Sequence, residues 1–293
     1  MIVWVVKGAG KCDTGRGTRT RNADSPRSDK IALEEHGMAR SLAVITGASS
    51  GIGAVFAKKL AAEHDLLLIA RRKDRLEALA AELRTQSGAA VDVLAAGLAD
   101  EQGLALAAER VGAAANLGLL VNNAGFGAGG LFWEADLTRQ EEIHRLHVMA
   151  VVRLCHAALK NMVPRNAGGI INVASVAAFV RRPGSTSYGA TKSWMTVFTE
   201  GLWLELQAAK SAVKIQALCP GFTYSEFHEV AQLDRGKLAP RSFWLDAEFV
   251  VDESLKGLRR GKLYVIPDWK YKAIAALLTK LPVSARLAIE SKR

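Results

Sequence analysis

Three polar residues in the second half of the chain have the types and spacing of a proton-transfer group. Ser175 follows an apolar segment, Tyr188 comes thirteen residues later, and Lys192 follows Tyr188 by four positions. Because helical residues four apart share a face, the Lys192 ammonium is predicted to lie near the Tyr188 phenol. A free tyrosine has a pKa of about 10 and is a poor base at neutral pH, and a nearby cation favours its phenolate. The pattern predicts general acid–base catalysis by Tyr188, with Ser175 hydrogen-bonded to the substrate oxygen.

The segment Thr46–Gly53 has the composition of a phosphate-binding turn. It reads Thr-Gly-Ala-Ser-Ser-Gly-Ile-Gly and directly follows an apolar strand pattern. Glycine permits a tight turn, and a helix that begins here offers free N–H groups and the positive end of its dipole to a pyrophosphate. The alternative is an ordinary strand–helix turn. The predicted cofactor contacts in this segment are Gly47, Ser49, Ser50, Gly51, Ile52 and Gly53.

The end of the second predicted strand indicates which dinucleotide binds. Arg71 and Arg72 follow Ala70, at the place where an acidic residue would bind the ribose hydroxyls of NAD. A guanidinium instead suits the 2′-phosphate of NADP through a bidentate, charge-assisted contact. Arg71 is the stronger candidate because it comes first after the strand, and a solvated charge at a helix start is the alternative. The predicted cofactor is NADP(H).

Strand patterns alternate with helix patterns from Ser41 onwards. The strands are predicted at 42–46, 66–70, 91–95, 119–122, 169–174 and 213–218. The helices are predicted at 51–63, 74–86, 138–162 and 187–209, with an Ala/Leu-rich helix between the third and fourth strands. The 138–162 helix is expected to stop before Pro164. This alternation predicts an α/β fold, in which one doubly wound parallel sheet is covered by helices on both faces.

The two ends of the chain differ from this pattern. Residues 1–40 are predicted to be a loose tail, because residues 11–30 carry no periodic apolar pattern. Met38 is a candidate natural start, with residues 1–37 as an upstream extension. Residues 268–293 are a basic extension. A helix over 269–281 in this extension either lies on a membrane surface or, as we prefer, packs on its own domain or on a partner subunit.

These motifs occur together in one known family. The chain resembles the short-chain dehydrogenases/reductases, and most closely an NADP-linked subgroup, from Ser41 to about Pro267; the matching motifs are Thr46–Gly53, Asn122–Gly125, Ser175, Tyr188–Lys192 and Pro220–Gly221. The resemblance implies a single Rossmann domain over 41–267 with a mostly parallel, seven-stranded sheet, a substrate lid over about 222–245, and a homodimer or homotetramer. In the family the tyrosine is the acid/base and the lysine also holds the nicotinamide ribose. The further cofactor contacts that the resemblance implies are Leu98, Asn123, Ala124, Gly125, Tyr188, Lys192, Pro220, Gly221 and Thr223.

Two positions depart from the family pattern. His147 stands where the family carries an active-site asparagine that helps to hold a water in a proton relay. We include His147 among the catalytic candidates, and a histidine that only packs in its helix is an equal alternative. Gly97 stands where the family usually has an aspartate that binds the adenine amino group, so weaker cofactor affinity is expected.

Composition and charge exclude several classes of protein. The net charge of +10 divides into +3 over 1–40, −1 over 41–255 and +8 over 256–293, so the body carries no basic excess of the kind that binds nucleic acid. Three scattered cysteines predict neither a disulfide framework nor a metal site. No apolar run approaches about 18 residues, and no secretory signal is recognisable, so a cytoplasmic location is expected.

The sequence thus predicts an NADP(H)-dependent oxidoreductase that acts on a carbonyl or secondary alcohol. Phe126, Phe179, Phe222 and Phe227 favour an apolar small-molecule substrate, although aromatic residues at such positions more often serve packing. The alternative is a cofactor-binding regulatory or scaffold protein that has lost turnover through its changes at His147 and Gly97.

Overall fold

A parallel sheet is the frame of the fold, in a computed structural model that describes residues 40–226 and 239–291. The sheet contains seven strands in the order β3–β2–β1–β4–β5–β6–β7, and every neighbouring pair is parallel. The predicted α/β fold with a doubly wound, seven-stranded sheet is confirmed. The strands are β1 (Ser41–Thr46), β2 (His64–Ala70), β3 (Val91–Ala95), β4 (Leu117–Asn122), β5 (Gly169–Val173), β6 (Lys214–Leu218) and β7 (Tyr264–Val265).

Helices cover both faces of this sheet. The helices α1, α2 and α7 pack on one face, and α3, α5 and α6 pack on the other. Their bounds are α1 (Gly51–Leu60), α2 (Lys73–Ser87), α3 (Glu101–Ala113), α4 (Leu137–His144), a π-helical turn (Arg145–Met149), α5 (Ala150–Arg165), α6 (Thr186–Ala208), α7 (Ala247–Arg259), α8 (Trp269–Lys280) and α9 (Val283–Glu290).

The strand β2 shows why the central strands are apolar throughout. Leu66 and Leu68 point into the core on one face, and Leu67 and Ile69 point into the core on the other. Successive strand residues face opposite sides, so a sheet covered on both sides needs apolar residues at every position. This explains the uninterrupted Leu-Leu-Leu-Ile run that the sequence shows.

The topology creates a typical ligand-binding position at the carboxyl ends of the strands. The strand order reverses between β1 and β4, which are neighbours although two strands separate them along the chain. In open α/β sheets, ligands bind beyond the carboxyl ends of the strands at such a switch point. The loops that carry the predicted site residues all leave the sheet at this edge.

The predicted end of the long helix before Pro164 is wrong. α4, the π-helical turn and α5 run continuously from Leu137 to Arg165, with Pro164 inside the last turn. Pro164 disfavours further helix, because it has no N–H to donate and its ring crowds the carbonyl four residues back, and the helix ends two residues later at Asn166 in the left-handed conformation. This 29-residue helix is long and apolar enough in composition to cross a membrane. However, its apolar residues Leu154 and Met162 are buried against the sheet, which accounts for that composition.

The predicted C-terminal helix is present in the structure, whereas the predicted tail and part of the predicted lid cannot be compared with it. Residues 1–39 of the predicted tail, and residues 227–238 of the predicted lid, lie outside the described residues. The predicted 269–281 helix is present as α8 and packs on its own domain, because Tyr271, Ala275 and Leu278 are buried.

Candidate active site

A cavity of about 1160 Å³ lies along the carboxyl edge of the sheet and brings most of the predicted site residues together. Two predicted residues, Gly53 and His147, do not line it. Those that do are Gly47, Ser49, Ser50, Gly51, Ile52, Arg71, Arg72, Leu98, Asn123, Ala124, Gly125, Ser175, Tyr188, Lys192, Pro220, Gly221 and Thr223.

The glycine turn between β1 and α1 needs its glycines for geometric reasons. Gly47 and Gly51 have positive φ angles of 66° and 55°, which side chains disfavour. Gly53 lies so close to the Gly47 carbonyl that a Cβ at this position would overlap it. The Ser50 side chain makes no capping hydrogen bond to α1, so it leaves the N–H groups of the first helical turn uncapped where Gly51 and Ile52 line the cavity. This arrangement suits an anion.

Thr46 joins this turn to the neighbouring one after β4. Its hydroxyl accepts hydrogen bonds from the backbone N–H groups of Asn123 and Ala124, at 2.9 and 3.0 Å. The Asn123 side chain in turn donates to the Thr46 and Gly47 carbonyls, at 3.0 and 3.3 Å. These hydrogen bonds therefore fix the position of the glycine turn relative to the turn that follows β4.

Of the two arginines after β2, Arg72 is the one that reaches the glycine turn. Its guanidinium donates to the Ser49 hydroxyl at 3.0 Å and to the Ser50 hydroxyl at 2.8 Å. Arg71 also lines the cavity but its side chain is exposed and lies toward Gly97. The geometry thus favours Arg72, and not Arg71, as the arginine that would contact an anion at the glycine turn.

The three residues that are predicted to transfer a proton line the same cavity. Ser175 begins the short helical turn after β5, and Tyr188 and Lys192 lie on the first turns of α6. The Lys192 ammonium lies 5.7 Å from the centre of the Tyr188 ring and donates to the Val173 carbonyl at 2.7 Å. The predicted proximity of Lys192 to Tyr188 is present, and β5 and α6 together fix it.

Burial dominates the electrostatics of this group. Burial raises the pKa of Tyr188 to about 12, against the opposing effect of a hydrogen bond with Ser175. Burial also lowers the pKa of Lys192 to about 7. The net shift of the Tyr188 pKa is therefore upward, opposite to the lowering expected from Lys192, because desolvation penalises the charged forms of both groups. Tyr188 is therefore held as a protonated phenol at neutral pH, which is the state that donates a proton.

Comparison with known proteins decides the family. The family model described as short chain dehydrogenase matches residues 41–235, about two thirds of the chain. The chain belongs to the short-chain dehydrogenase family. This membership makes it an oxidoreductase of the type that uses a nicotinamide cofactor.

Individual relatives of this short-chain dehydrogenase agree in fold and differ in cofactor. A short-chain dehydrogenase from Sphingobium yanoikuyae, solved with NADPH, is 34% identical, with a TM-score of 0.74 over 83% of this chain and 97% of its own. A relative from Burkholderia phymatum, solved with NAD, is 27% identical, with a TM-score of 0.72 over 82% of this chain and 92% of its own. The very-long-chain 3-oxoacyl-CoA reductase of Anas platyrhynchos is 26% identical over 69% of this chain, and the matched stretch spans 65% of that reductase.

His147, which replaces the family's usual asparagine, is buried in the π-helical turn. The Phe126 N–H donates to its Nε2 at 3.3 Å, so the ring proton is on Nδ1, which donates to the Thr191 hydroxyl at 2.9 Å. That hydroxyl donates to the Tyr188 carbonyl at 2.9 Å. Burial, followed by the Lys192 charge, holds the pKa of His147 well below its usual value. His147 is thus neutral. Its ring packs edge-on against the Tyr188 ring, and Thr191 links it to the Tyr188 carbonyl, so His147 is placed to position Tyr188.

We expect His147→Asn to cost stability more than chemistry. Asparagine is too short to pair with both the Phe126 amide and the Thr191 hydroxyl, and one unpaired buried group costs about 1–3 kcal/mol in unfolding free energy. The kcat should fall by less than about tenfold, and the pH profile of kcat should keep its shape between pH 6 and pH 8, because His147 is neutral throughout. Urea unfolding and steady-state kinetics measure both, with His156→Asn on the exposed side of α5 as the control. An acidic limb that disappears in His147→Asn would instead assign a titrating catalytic role.

Tyr271 on α8 is a site residue that the sequence analysis missed. Its hydroxyl accepts from the Phe222 N–H at 3.0 Å and donates to the Phe243 carbonyl at 2.5 Å. Its ring lies against Gly221, where a Cβ would overlap it. Tyr271 therefore fixes the backbone that follows β6, beside the cavity. The signal was weak, because a tyrosine on an amphipathic helix is ordinary core material.

A second contact made by the end of the chain involves Glu290 on α9. Glu290 is 3% exposed, and its carboxylate accepts from the Arg181 N–H at 2.7 Å. Arg181 lies in the loop between β5 and α6, and its neighbours Val180 and Arg182 line the cavity. The C-terminal extension thus lines the cavity with Tyr271 and Ile274, and through Glu290 it holds the loop beside the cavity.

We expect Gly221→Ala to destabilise the protein by about 1–3 kcal/mol, because the new Cβ has to push the Tyr271 ring aside. NADPH affinity should fall in parallel, since the Phe222 amide loses its fixed position. Gly201→Ala on α6 is the matched control: a Cβ there meets nothing within 4 Å, and alanine favours a helix. Urea unfolding and NADPH titration test both variants. Equal stability of Gly221→Ala and wild type would contradict the described contact.

Asp100 fills the space beside Gly97. It caps the start of α3 by accepting from the Gly103 N–H at 2.7 Å, and its other carboxylate oxygen lies where a Gly97 side chain would begin. A larger residue at position 97 would collide with it. A carboxylate thus lines this end of the cavity although Gly97 offers none, and weaker cofactor affinity stays a prediction.

The end of the cavity near Tyr188 is mostly apolar. Of the four predicted aromatic residues, Phe126 and Phe222 line the cavity, Phe179 instead packs on Tyr264, and Phe227 lies outside the described residues. The apolar side chains of the cavity lining include Phe126, Leu146, Val176, Val180, Phe222, Phe243 and Ile274, with charged Glu142, Arg145 and Arg182 also in the lining.

Proposed function

We propose that this short-chain dehydrogenase is an NADP(H)-dependent reductase of apolar carbonyl compounds, which catalyses the reverse oxidation of secondary alcohols at higher pH. One observation carries the proposal. The Ser175–Tyr188–Lys192 group and the glycine turn open into the same cavity at the switch point of the sheet. The intact group and its geometry favour an enzyme over a regulatory protein without turnover.

The residues at the glycine turn fit a dinucleotide. Gly47, Gly51 and Gly53 keep open a space that side chains would fill, and the first turn of α1 offers N–H groups to the phosphates. Asn123, Ala124 and Gly125 form the neighbouring wall, and Pro220, Gly221 and Thr223 form the opposite one. The bound nicotinamide supplies the hydride.

The chain's own contribution to the reaction is the proton. Tyr188 donates its phenolic proton to the substrate oxygen as the carbonyl carbon is reduced, and Ser175 holds that oxygen by a hydrogen bond. The raised pKa of Tyr188 keeps this proton in place at neutral pH. Lys192, when charged, stabilises the phenolate that remains. Water exclusion by the apolar end of the cavity strengthens these interactions.

The preference for NADP(H) rests on charge. Arg72 is bound to both serine hydroxyls of the glycine turn, and Arg71 and Arg75 flank it in sequence. A guanidinium beside hydroxyl groups is a typical phosphate site. The positions that directly follow β2, where NAD enzymes place an acidic residue, are Arg71 and Arg72 in this chain. Asp100 lies beside Gly97, near Arg71, and its carboxylate caps α3.

The substrate preference rests on the cavity lining. The apolar residues near Tyr188 favour a hydrophobic carbonyl compound, and a matched relative is named for a very-long-chain 3-oxoacyl substrate. A cytoplasmic homodimer or homotetramer remains part of the proposal. Val197 and Leu204 on α6 are 65% and 62% exposed, and an exposed apolar helix face of this kind suits contact with a second subunit.

The direct test is cofactor oxidation with a panel of apolar ketones and aldehydes, run with NADPH and with NADH. Turnover with NADPH, at a kcat/KM at least about tenfold above that with NADH, is the expected result. Preference for NADH would overturn the cofactor assignment. Tight NADPH binding without turnover on any carbonyl would favour the regulatory alternative.

A further inference from the structure

The carboxylate of Glu226 pairs with two arginines beside the glycine turn. Glu226 accepts a hydrogen bond from Arg72 at 2.9 Å with one oxygen and from Arg75 at 2.5 Å with the other. These bonds, the one from Arg72 first, hold the pKa of Glu226 below its usual value, so the group is charged. The pair of guanidinium groups therefore already holds one anion.

The same arginine serves the proposed cofactor site. Arg72 uses its Nε and one terminal nitrogen for the serine hydroxyls of the turn, and it uses its remaining nitrogen for Glu226. Two guanidinium groups next to two hydroxyls form a donor set that suits a phosphate monoester, and such a group competes directly with a carboxylate. Glu226 is the carboxylate that would compete with such a phosphate for Arg72 and Arg75.

The chain around Glu226 also lies over the glycine turn. Ser225 packs against Gly51, the first residue of α1, so closely that a Cβ on Gly51 would touch the Ser225 side chain. The segment is anchored further back, because Leu245 donates to the Phe222 carbonyl at 2.8 Å and accepts from the Tyr224 N–H at 3.0 Å. Glu226 is thus tethered two residues beyond a fixed point, within reach of Arg72.

We propose that Glu226 is an internal competitor for the anion site of Arg72 and Arg75, and that it sets the margin by which a 2′-phosphate is preferred. This inference rests on the proposed function. A ligand with a 2′-phosphate displaces the Glu226 carboxylate from the arginines, whereas a ligand without one leaves the carboxylate in place. Glu226 accordingly weakens NADPH binding and leaves NADH binding nearly unchanged.

The test is a calorimetric titration of Glu226→Gln with NADPH, NADH, adenosine 2′,5′-bisphosphate and ADP. An exposed ion pair of this kind corresponds to about a fivefold change in Kd. We expect the two ligands with a 2′-phosphate to bind about fivefold tighter to the variant, and the other two to change by less than about twofold. Glu82→Gln is the matched control, because Glu82 is similarly exposed (38% against 36%) and pairs with Lys58 far from the cavity.

The opposite outcomes are distinct. Weaker NADPH binding to Glu226→Gln would mean that Glu226 helps to hold the cofactor. Unchanged binding would mean that the ion pair has no influence on cofactor affinity. Either result would overturn this inference and would leave the proposed function standing. Equal tightening of NADPH and NADH would place the competition at the pyrophosphate and overturn the selectivity claim. In an Arg72→Gln/Arg75→Gln background, the effect of Glu226→Gln should vanish, and its persistence would contradict the proposed route. Failure of the wild type to bind either dinucleotide would overturn the proposed function itself.

Discussion

Tyr188→Phe is expected to reduce kcat for carbonyl reduction by about a thousandfold or more. The substitution removes only the hydroxyl that supplies the proton, and the ring that packs edge-on against His147 stays. NADPH binding should change by less than about threefold, because the phosphate-binding turn is untouched. Steady-state kinetics and NADPH titration on the same preparation separate the two effects.

A second tyrosine provides the control for this result. Tyr264 lies outside the cavity, and its hydroxyl bonds to Glu200 at 2.9 Å. Tyr264→Phe should keep kcat within about twofold of the wild type. Turnover by Tyr188→Phe within tenfold of the wild type would rule out Tyr188 as the proton donor, and the proposed mechanism with it.

Lys192→Met is expected to lower kcat by about a hundredfold or more and to change how stability depends on pH. The folded-state pKa of Lys192 is lowered to about 7 from an ordinary value of 10.5. Between these two pH values the unfolded chain binds the proton more strongly than the folded chain. The Lys192 contribution to the unfolding free energy therefore rises with pH from about 7 to about 10.5, by at most about 1.4 kcal/mol per pH unit.

Methionine has no proton to exchange, so the rise should be missing in Lys192→Met. Urea unfolding at several values between pH 7 and pH 9.5 measures the difference from the wild type. Lys58→Met on α1 serves as the control, because that side chain is half exposed. Parallel stability curves for wild type and Lys192→Met would show that Lys192 does not titrate in this range.

The sequence predicted the parts of this site that depend on local pattern. The strands with continuous apolar residues, the glycine turn and the four-residue spacing of Tyr188 and Lys192 all follow from neighbouring positions. Their relation to one another follows from the parallel topology, which gathers the carboxyl ends of strands at one edge. The α/β architecture was therefore readable from these elements.

The parts that the sequence did not predict depend on distant partners or on desolvation. Tyr271 reaches Gly221 only because α8 returns to the sheet edge, and no spacing rule links the two residues. Arg72 rather than Arg71 faces the serines because α2 begins at Lys73 and sets the directions of both side chains. The raised pKa of Tyr188 follows from burial, which charge spacing alone does not reveal.

The contacts of Tyr271 and Glu290 have a consequence for how the protein is made. Lys192, the last residue of the Ser175–Tyr188–Lys192 group, is synthesised about a hundred residues before Glu290, and the nucleotide turn is synthesised earlier still. At ordinary rates of translation, about a hundred residues take about 5 to 20 seconds. During that time Tyr271 and then Glu290 are missing from their contacts with the Phe222 and Arg181 backbone beside the cavity. The site can therefore take its final form only after the C-terminal helices have been made.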